Sequence, residues 1–390
     1  VHDGMAPPGA RTLHDLRTYR TGRGLGSLAC KRLHSPAMGT TRDRTGSTPR
    51  RARIEDVAQA ANVSVATVSR ALRGLPNVAE STRQRVCEVA SAMNYAPDPA
   101  AARLAAGRTH TVIVVVPHLA SWYFSTVIAG AEAVCNESGY EFLVVGVGSI
   151  DECNRLLDEH SRLERRTDGV VLVNIPATDA QAASLRERGV ALSTIGTRVA
   201  GSPSVFIDDV EVGRVGARTL IDLGHRRIGL ISGLGEDPLN FEVPKRRKSG
   251  FDEELRAAGL AHDPDLVVGG NFGIDGGQEA MATLLELGLP PTAVFAMSDE
   301  MAFGALMELS RRSLEPGRDM AVLGVDDHDV ARVVSLSTIR QDVPSQGAAA
   351  ARALIAAMAG AAVDLEPAVA PIELMLRGTT GPPPEPARPR

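Results

Sequence analysis

The chain has 390 residues, 44% of them hydrophobic and 23% charged but only 3% aromatic, a composition inside the globular range and far from disordered or collagenous extremes. At about 100–200 residues per domain it has room for two or three units, and no run reaches the roughly 18 apolar residues that cross a bilayer. The formal net charge of −5 hides a division: residues 1–108 carry 17 Lys/Arg against 8 Asp/Glu, a balance of +9, whereas residues 109–390 carry 25 against 39. A basic front on an acidic body points to a separate module for a polyanion.

Residues 1–53 mix Arg, Gly, Ser, Thr and Pro without helical or strand period and hold 11 basic residues against three acidic ones, which predicts a disordered basic arm. The first thirty residues lack a signal-peptide apolar core, so a cytoplasmic protein is expected. The sequence opens on Val, with Met5 and Met38 as possible starts. Cys30, Cys87, Cys135 and Cys153 are scattered, without a Cys-x-x-Cys pair or a His at zinc spacing, and read as reduced bystanders.

From Ile54 the character changes. Ile54, Val57, Ala58 and Ala61 repeat at helical spacing, a second short helix begins around Val63 and Ser64 and runs to Leu72, and Thr82 to Met93 gives a third. After Pro97 an Ala-rich run ends at Gly107. Strand-like runs then follow at 111–116, 141–147, 169–173, 190–195, 228–231, 293–296 and 321–325, alternating with helical segments. Such alternation predicts βαβ units around parallel sheets, and about 270 residues is long for one doubly wound sheet, so two lobes are expected. The Pro-rich end, Gly381 to Arg390, is expected to fray.

The segment Ile54-Glu-Asp-Val-Ala-Gln-Ala-Ala-Asn-Val-Ser-Val-Ala-Thr-Val-Ser-Arg70 reads as a helix-turn-helix. Val57, Ala58 and Ala61 are small enough for close approach of a second helix, Asn62 tolerates a left-handed backbone at the turn, and Ser64 sits where an N-cap is needed. The end of the second helix can then enter a major groove. This segment resembles the LacI/GalR family of bacterial regulators, whose pattern is an apolar residue followed by x-Asp-Val-Ala-x-x-Ala-Gly-Val-Ser-x-x-Thr-Val-Ser-Arg; every fixed position matches except Gly, which is Asn62 here.

The resemblance implies that Val65 and Ala66 face base edges and that Arg70 reaches a base or a phosphate. Apolar side chains can meet thymine methyls but cannot form bidentate bonds, which leaves Arg70 the main polar reader. Ser64, Thr67, Ser69 and Thr82 are candidates for phosphate contact, or for capping and packing. Tyr95 to Leu104 resembles the family's hinge, a segment helical only on operator: Asp98 can cap, Pro99 suits a first helical position, and so short a helix is marginal alone. Leu104 matches the minor-groove wedge, while the Arg expected after an Ala in that motif is displaced to Arg103.

From residue 110 to about 380 the chain resembles the family's periplasmic-binding-protein-like sensor, through Gly224-His225-Arg226-Arg227-Ile228, Arg247-Lys-Ser-Gly250-Phe251, Ser298 to Ala305, Gly324-Val325-Asp326-Asp327 and Leu336 to Gln341. The expected fold is therefore an all-α helix-turn-helix headpiece (54–97), a hinge (98–109) and an α/β two-lobed sensor (110–380) with parallel sheets. Its N-lobe is placed at about 110–207 plus 339–360, its C-lobe at about 208–338 plus 361–380, with a ligand cleft between them. Trp122, Tyr123 and Phe124 put three rings after the first strand, suited either to a sugar's C–H face or to core packing. The resemblance places Arg247 at the family's effector-contact position and Asp326 after a strand, which implies a donor and acceptor for vicinal hydroxyls, the alternative being surface or inter-lobe ion pairs. Ser298 stands where the family commonly has Asn, and Asp208 is a poorer candidate.

Enzymatic patterns are weaker. Gly24-Leu-Gly26 has no preceding strand, and no phosphate-loop Lys or Gly-x-Ser-x-Gly nucleophile turn is found. Asp326, Asp327, His328 and Asp329 read as cleft edge and helix start rather than a metal site. The expectation is thus a cytoplasmic homodimeric repressor without cofactor or catalytic residues. It would bind a palindromic double-stranded DNA operator under control of a small effector, a sugar or sugar derivative. A transport receptor would leave residues 54–104 without a role, and a sugar-processing enzyme would need an acid/base pair the sequence does not expose.

Overall fold

In a computed structural model of the protein, residues 52–72, 74–95, 108–233, 239, 241–260 and 263–385 are described. Nearly all of the expected basic arm, most of the expected hinge with Arg103 and Leu104, and the end of the Pro-rich tail lie outside them. The chain divides into two compact units, residues 1–95 and 96–390, which are taken separately.

The first unit is a bundle of α1 (Ile54–Ala60), α2 (Val65–Leu72) and α3 (Glu80–Ala92). Val57, Val68 and Val86 are wholly buried, and Ala58, Ala61, Ala71 and Ala90 fill the space between them. Alanines at the helix contacts keep the axes close, and three buried valines contribute roughly 1.5–3 kcal/mol each. Asn62 turns the chain at φ 53°, in the left-handed region. The Ser64 hydroxyl oxygen accepts the Thr67 backbone N–H at 3.2 Å and so caps α2. Arg83 donates to the carbonyl oxygens of Ala71 (3.2 Å) and Leu75 (3.0 Å), fixing α3 against the end of α2.

The second unit holds two sheets. In the first lobe β1 (Thr111–Val116), β2 (Glu141–Gly146), β3 (Gly169–Val173), β4 (Ala191–Ile195) and β5 (Ser204–Phe206) are covered by α4 (Trp122–Glu137), α5 (Ile150–Leu157) and α6 (Asp179–Glu187). The chain then passes through α7 (Asp209–Asp222) into β6 (Ile228–Ser232), α8 (Glu242–Ala257), β7 (Val267–Gly269), α9 (Ile274–Leu285), β8 (Ala293–Ala296), α10 (Asp299–Arg311), β9 (Ala321–Asp326) and β10 (Ser337–Gln341). Helix α11 (Val343–Met358), β11 (Ala368–Val369) and β12 (Ile372–Met375) follow. The strand orders are β11-β5-β4-β3-β1-β2 and β12-β10-β9-β8-β6-β7. All named pairings are parallel except β10 with β12. The wholly buried run of β1 is what a central parallel strand covered on both faces requires.

The lobe boundaries depart from those expected. β10 belongs to the second sheet, so Ile339 to Gln341 are second-lobe residues and the return crossing lies at Asp342, where a carboxylate caps α11, rather than before Ile339. Ala368 and Val369 pair with β5 in the first sheet, so the last crossing follows them instead of residue 360. Gly381, expected in a frayed tail, is held by its carbonyl oxygen, 2.8 Å from His225 Nε2. No helix of the described residues is long and apolar enough to cross a membrane.

Three helix pairs meet through glycines. A Cβ on Gly130 would strike the Pro344 carbonyl and one on Gly347 that of Val127, bringing α4 and α11 together across the first lobe. Gly213 and Gly250 do the same for α7 and α8, and Gly277 and Gly304 for α9 and α10. These contacts set the helices that flank the cleft at a depth no larger residue allows.

Candidate functional site

In the headpiece, α2 buries Val68 and Ala71 on one side and leaves Val65, Ala66 and Arg70 exposed on the other, with Thr67 and Ser69 half-buried. Val65 at 41% exposure is an apolar side chain with no packing role to explain it. Capping has part of the expected phosphate contacts in use already: Ser64 and Thr67 hydroxyls also bond each other at 2.9 Å. Thr82 lies in the first turn of α3, half-buried, because that helix begins at Glu80.

In the second unit, the carboxyl ends of β1, β5 and β9 and the starts of α4, α7 and α10 surround a cavity of about 270 Å³. Tyr123, Phe124, Arg247, Ser298 and Asp326 of the sequence candidates line it. Trp122 does not: its ring stacks on His328 of the other lobe at 4.6 Å between centroids, and its Nε1 lies 3.5 Å from Asp329 Oδ2. Ser298 caps α10, its hydroxyl oxygen accepting the Met301 N–H at 3.3 Å.

Arg247 is buried within α8, and its guanidinium is not free to serve hydroxyls with every donor. Nε donates to Asp209 Oδ1 at 2.9 Å, and Nη1 donates to the Met297 carbonyl. Asp209 is the residue sequence reasoning missed by one position. Asp208 spends its carboxylate on the Val210 and Glu211 N–H groups as the cap of α7 (3.1 and 3.3 Å), and the next residue therefore points into the cleft. Burial raises Asp209 above the usual carboxylate range, with Arg247 opposing the rise.

Asp326 ends β9 at φ 122°, followed by Asp327 at 56°. Backbone of this kind in a non-glycine residue stores on the order of 1–3 kcal/mol and persists where surroundings over-determine it. The surroundings here are a relay: Gln346 Nε2 donates to Gln341 Oε1 at 3.0 Å, and Gln341 Nε2 donates to Asp326 Oδ1 at 2.6 Å. Gln346 comes from α11 of the first lobe and Gln341 from β10 of the second, so the relay crosses between lobes. Burial pushes Asp326 up to about 7, against the pull of Arg247. Behind it Asp299, wholly buried, accepts Thr338 Oγ1 at 2.7 Å and the His328 N–H at 2.8 Å; burial and then the charge of Asp326 hold it well above its ordinary range. Burial, then Asp209 and Asp326, likewise raises the Tyr123 phenol.

Glu300 completes the acidic side. It accepts Ser121 Oγ at 3.2 Å across the lobes and the Trp122 backbone N–H, and burial raises it above the usual range. Asn174, Phe206, Phe241, Asn271, Phe272, Gln341 and Gln346 also line the cavity. Among these, only Gln341 stood inside a stretch the sequence had singled out, and scattered Phe and Asn residues in loops carry no periodic signal. Among the described residues no group of three His, Cys, Asp or Glu is arranged to hold a metal ion.

Residues 53–98 match the family model for bacterial regulatory proteins of the lacI family, and residues 217–380 that for a periplasmic binding protein-like domain. The chain is 31% identical over 334 residues to the HTH-type transcriptional repressor CytR of Escherichia coli K12, covering 84% of this chain and 96% of that one. It is 33% identical over 346 residues to the HTH-type transcriptional regulator CelR of Thermobifida fusca, with 84% and 98% covered. Among solved structures it resembles the lac repressor dimer bound to operator and the anti-inducer ONPF, with a TM-score of 0.72, 26% identity, and 85% of this chain and all of that one covered. A complex of the regulator CelR with cellobiose gives 0.60 and 31%, over 84% of this chain and all of that one.

Proposed function

The chain belongs to the LacI family of bacterial regulatory proteins, and from that premise we propose that it represses transcription by binding operator DNA as a homodimer until a carbohydrate effector enters the cleft. The observation that carries this reading is the pairing, in one chain, of an exposed Val65, Ala66 and Arg70 edge on a helix-turn-helix with a cleft whose lining is drawn from both lobes. The relatives are regulators rather than enzymes. In this reading the cleft residues hold a ligand rather than transform it, and the protein works in the cytoplasm, where its DNA is.

In this reading Arg70 is the polar reader, Val65 and Ala66 meet thymine methyls, and Thr67, Ser69 and Thr82 approach phosphates. Arg247, Asp209 and Asp326 hold ligand hydroxyls, with the rings of Tyr123 and Phe124 against its C–H face. Each lobe also exposes apolar surface that a second copy would cover. In the first, edge strand β2 presents Leu143 and Val144; in the second, the turn after Asp329 presents Val330, Val333 and Val334. An uncovered apolar edge strand invites pairing.

The test is an operator selected from genomic fragments and titrated by fluorescence anisotropy. Arg70→Ala is expected to lose about 1–3 kcal/mol, concentrated at one base pair per half-site. Loss spread evenly over unrelated sequences would reject the readout role.

A further inference from the structure

Five rings, Tyr123, Phe124, Phe206, Phe241 and Phe272, line the cavity, in a chain with only eight Phe, four Tyr and one Trp. They supply apolar faces, but among the described lining residues the charged groups between them are lopsided: three carboxyls, from Asp209, Glu300 and Asp326, stand against one guanidinium, from Arg247, and the His118 imidazole. That guanidinium is engaged by Asp209 and the Met297 carbonyl. The hydrogen bonds of Asp326 and Glu300 come from neutral donors, Gln341 for the first and Ser121 and the Trp122 N–H for the second. Asp299 adds a further acidic group immediately behind Asp326. Two other arginines line an adjoining cavity of about 250 Å³ that shares Phe206, Asp209 and Phe241 with the first. Arg198 is placed over the Phe206 ring at 4.0 Å, and Arg246 is 3.7 Å from Asp208.

We propose that this cavity selects an uncharged or amine-bearing polyhydroxylated ring and rejects phosphorylated and carboxylated ones, with Asp326 and Glu300 as the specificity-determining residues. The proposal deepens, and rests on, the reading of the cleft as the effector site. Hydroxyls donate to carboxylate oxygens, an ammonium does so with added charge attraction, and the rings cover the ligand's apolar face. A phosphate or carboxylate would be desolvated against three carboxyls that share the one guanidinium of Arg247, which Asp209 already engages. Such like-charge contact costs several kcal/mol, so an anionic counterpart is expected to bind on the order of 100-fold more weakly.

The experiment is calorimetric titration of the full chain with matched sets: glucose, glucosamine and glucose 6-phosphate; ribose and ribose 5-phosphate; cellobiose and cellobionate. Every saturable ligand is expected among the neutral and amine-bearing members, with anionic counterparts about 100-fold weaker, and the variant Glu300→Gln with Asp326→Asn should narrow that gap at least roughly tenfold. An anionic member binding as tightly as its neutral counterpart, a gap unchanged in the variant, or no binding by any neutral or amine-bearing member overturns the proposal. The same samples carrying labelled operator separate the two readings. If the gap holds but the bound sugar leaves the operator complex intact, the charge rule stands and the effector reading fails.

Discussion

Asp326 concentrates the chemistry of the cleft in one side chain: a left-handed backbone aims it, two glutamines hold it, and burial raises it to about 7. Its stability linkage has a definite sign. A carboxyl raised in the folded state is protonated in both states at low pH, and the fold is penalised as pH climbs from the unfolded value near 4 through about 7. The native protein should therefore lose stability over that window relative to Asp326→Asn, which keeps an acceptor for Gln341. Urea midpoints of both proteins between pH 4.5 and 7.5 check this, and a constant difference would contradict it. Arg247 and Asp326 were placed in the cleft by the resemblance to the family's sensor, and both line the cavity. Asp209 was not, because Asp208 and Asp209 are indistinguishable until the helix start shows which one caps. Trp122 was grouped with its neighbours by sequence, yet successive residues at a helix start point in different directions, and its ring turns to His328 instead.

At the scale of elements, the turn of the headpiece shows how a departure from a motif is absorbed. Asn62 occupies the left-handed position where the motif has Gly, and it is the residue type that best tolerates it after glycine. Asn62→Val is expected to destabilise the headpiece by about 1–2 kcal/mol and Asn62→Gly to leave it unharmed. Amide exchange over residues 54–92 of the intact chain would report both, and equal protection in the two variants would contradict the assignment. The long buried strands and the three headpiece helices were readable from periodicity because each carries its own apolar signal. β5, β7, β10, β11 and β12 were not, being two to five residues long. A strand that short has too few alternations to stand out, and it is defined by the neighbour it pairs with. The shifted lobe boundaries have the same origin, since β10 and β11 declare their lobe only through pairing.

For the whole molecule, the charge division that opens the sequence is a property of the arm more than of the DNA module: residues 1–53 carry a balance of +8 and residues 54–108 only +1. In the proposed reading, specific recognition rests on the order of residues from Ile54 to Arg70, and the arm is expected to add only a salt-sensitive, non-specific attraction. Two copies are needed to read a palindrome, and Val333, 81% exposed, lies on the surface assigned to that contact. Val333→Glu is expected to shift the protein toward monomer in sedimentation and to weaken operator binding while leaving sugar affinity unchanged. An intact dimer would place the interface elsewhere. The central claim is that cleft and headpiece share one equilibrium, and linkage makes that reciprocal: a ligand that weakens operator binding by some factor is itself bound more weakly, by the same factor, when operator is present. Titrating the tightest neutral sugar into the protein alone and into its saturated operator complex measures both sides. The account predicts equal factors, of about 5–150-fold for a coupling of typical size, and identical sugar affinity in the two titrations would contradict it.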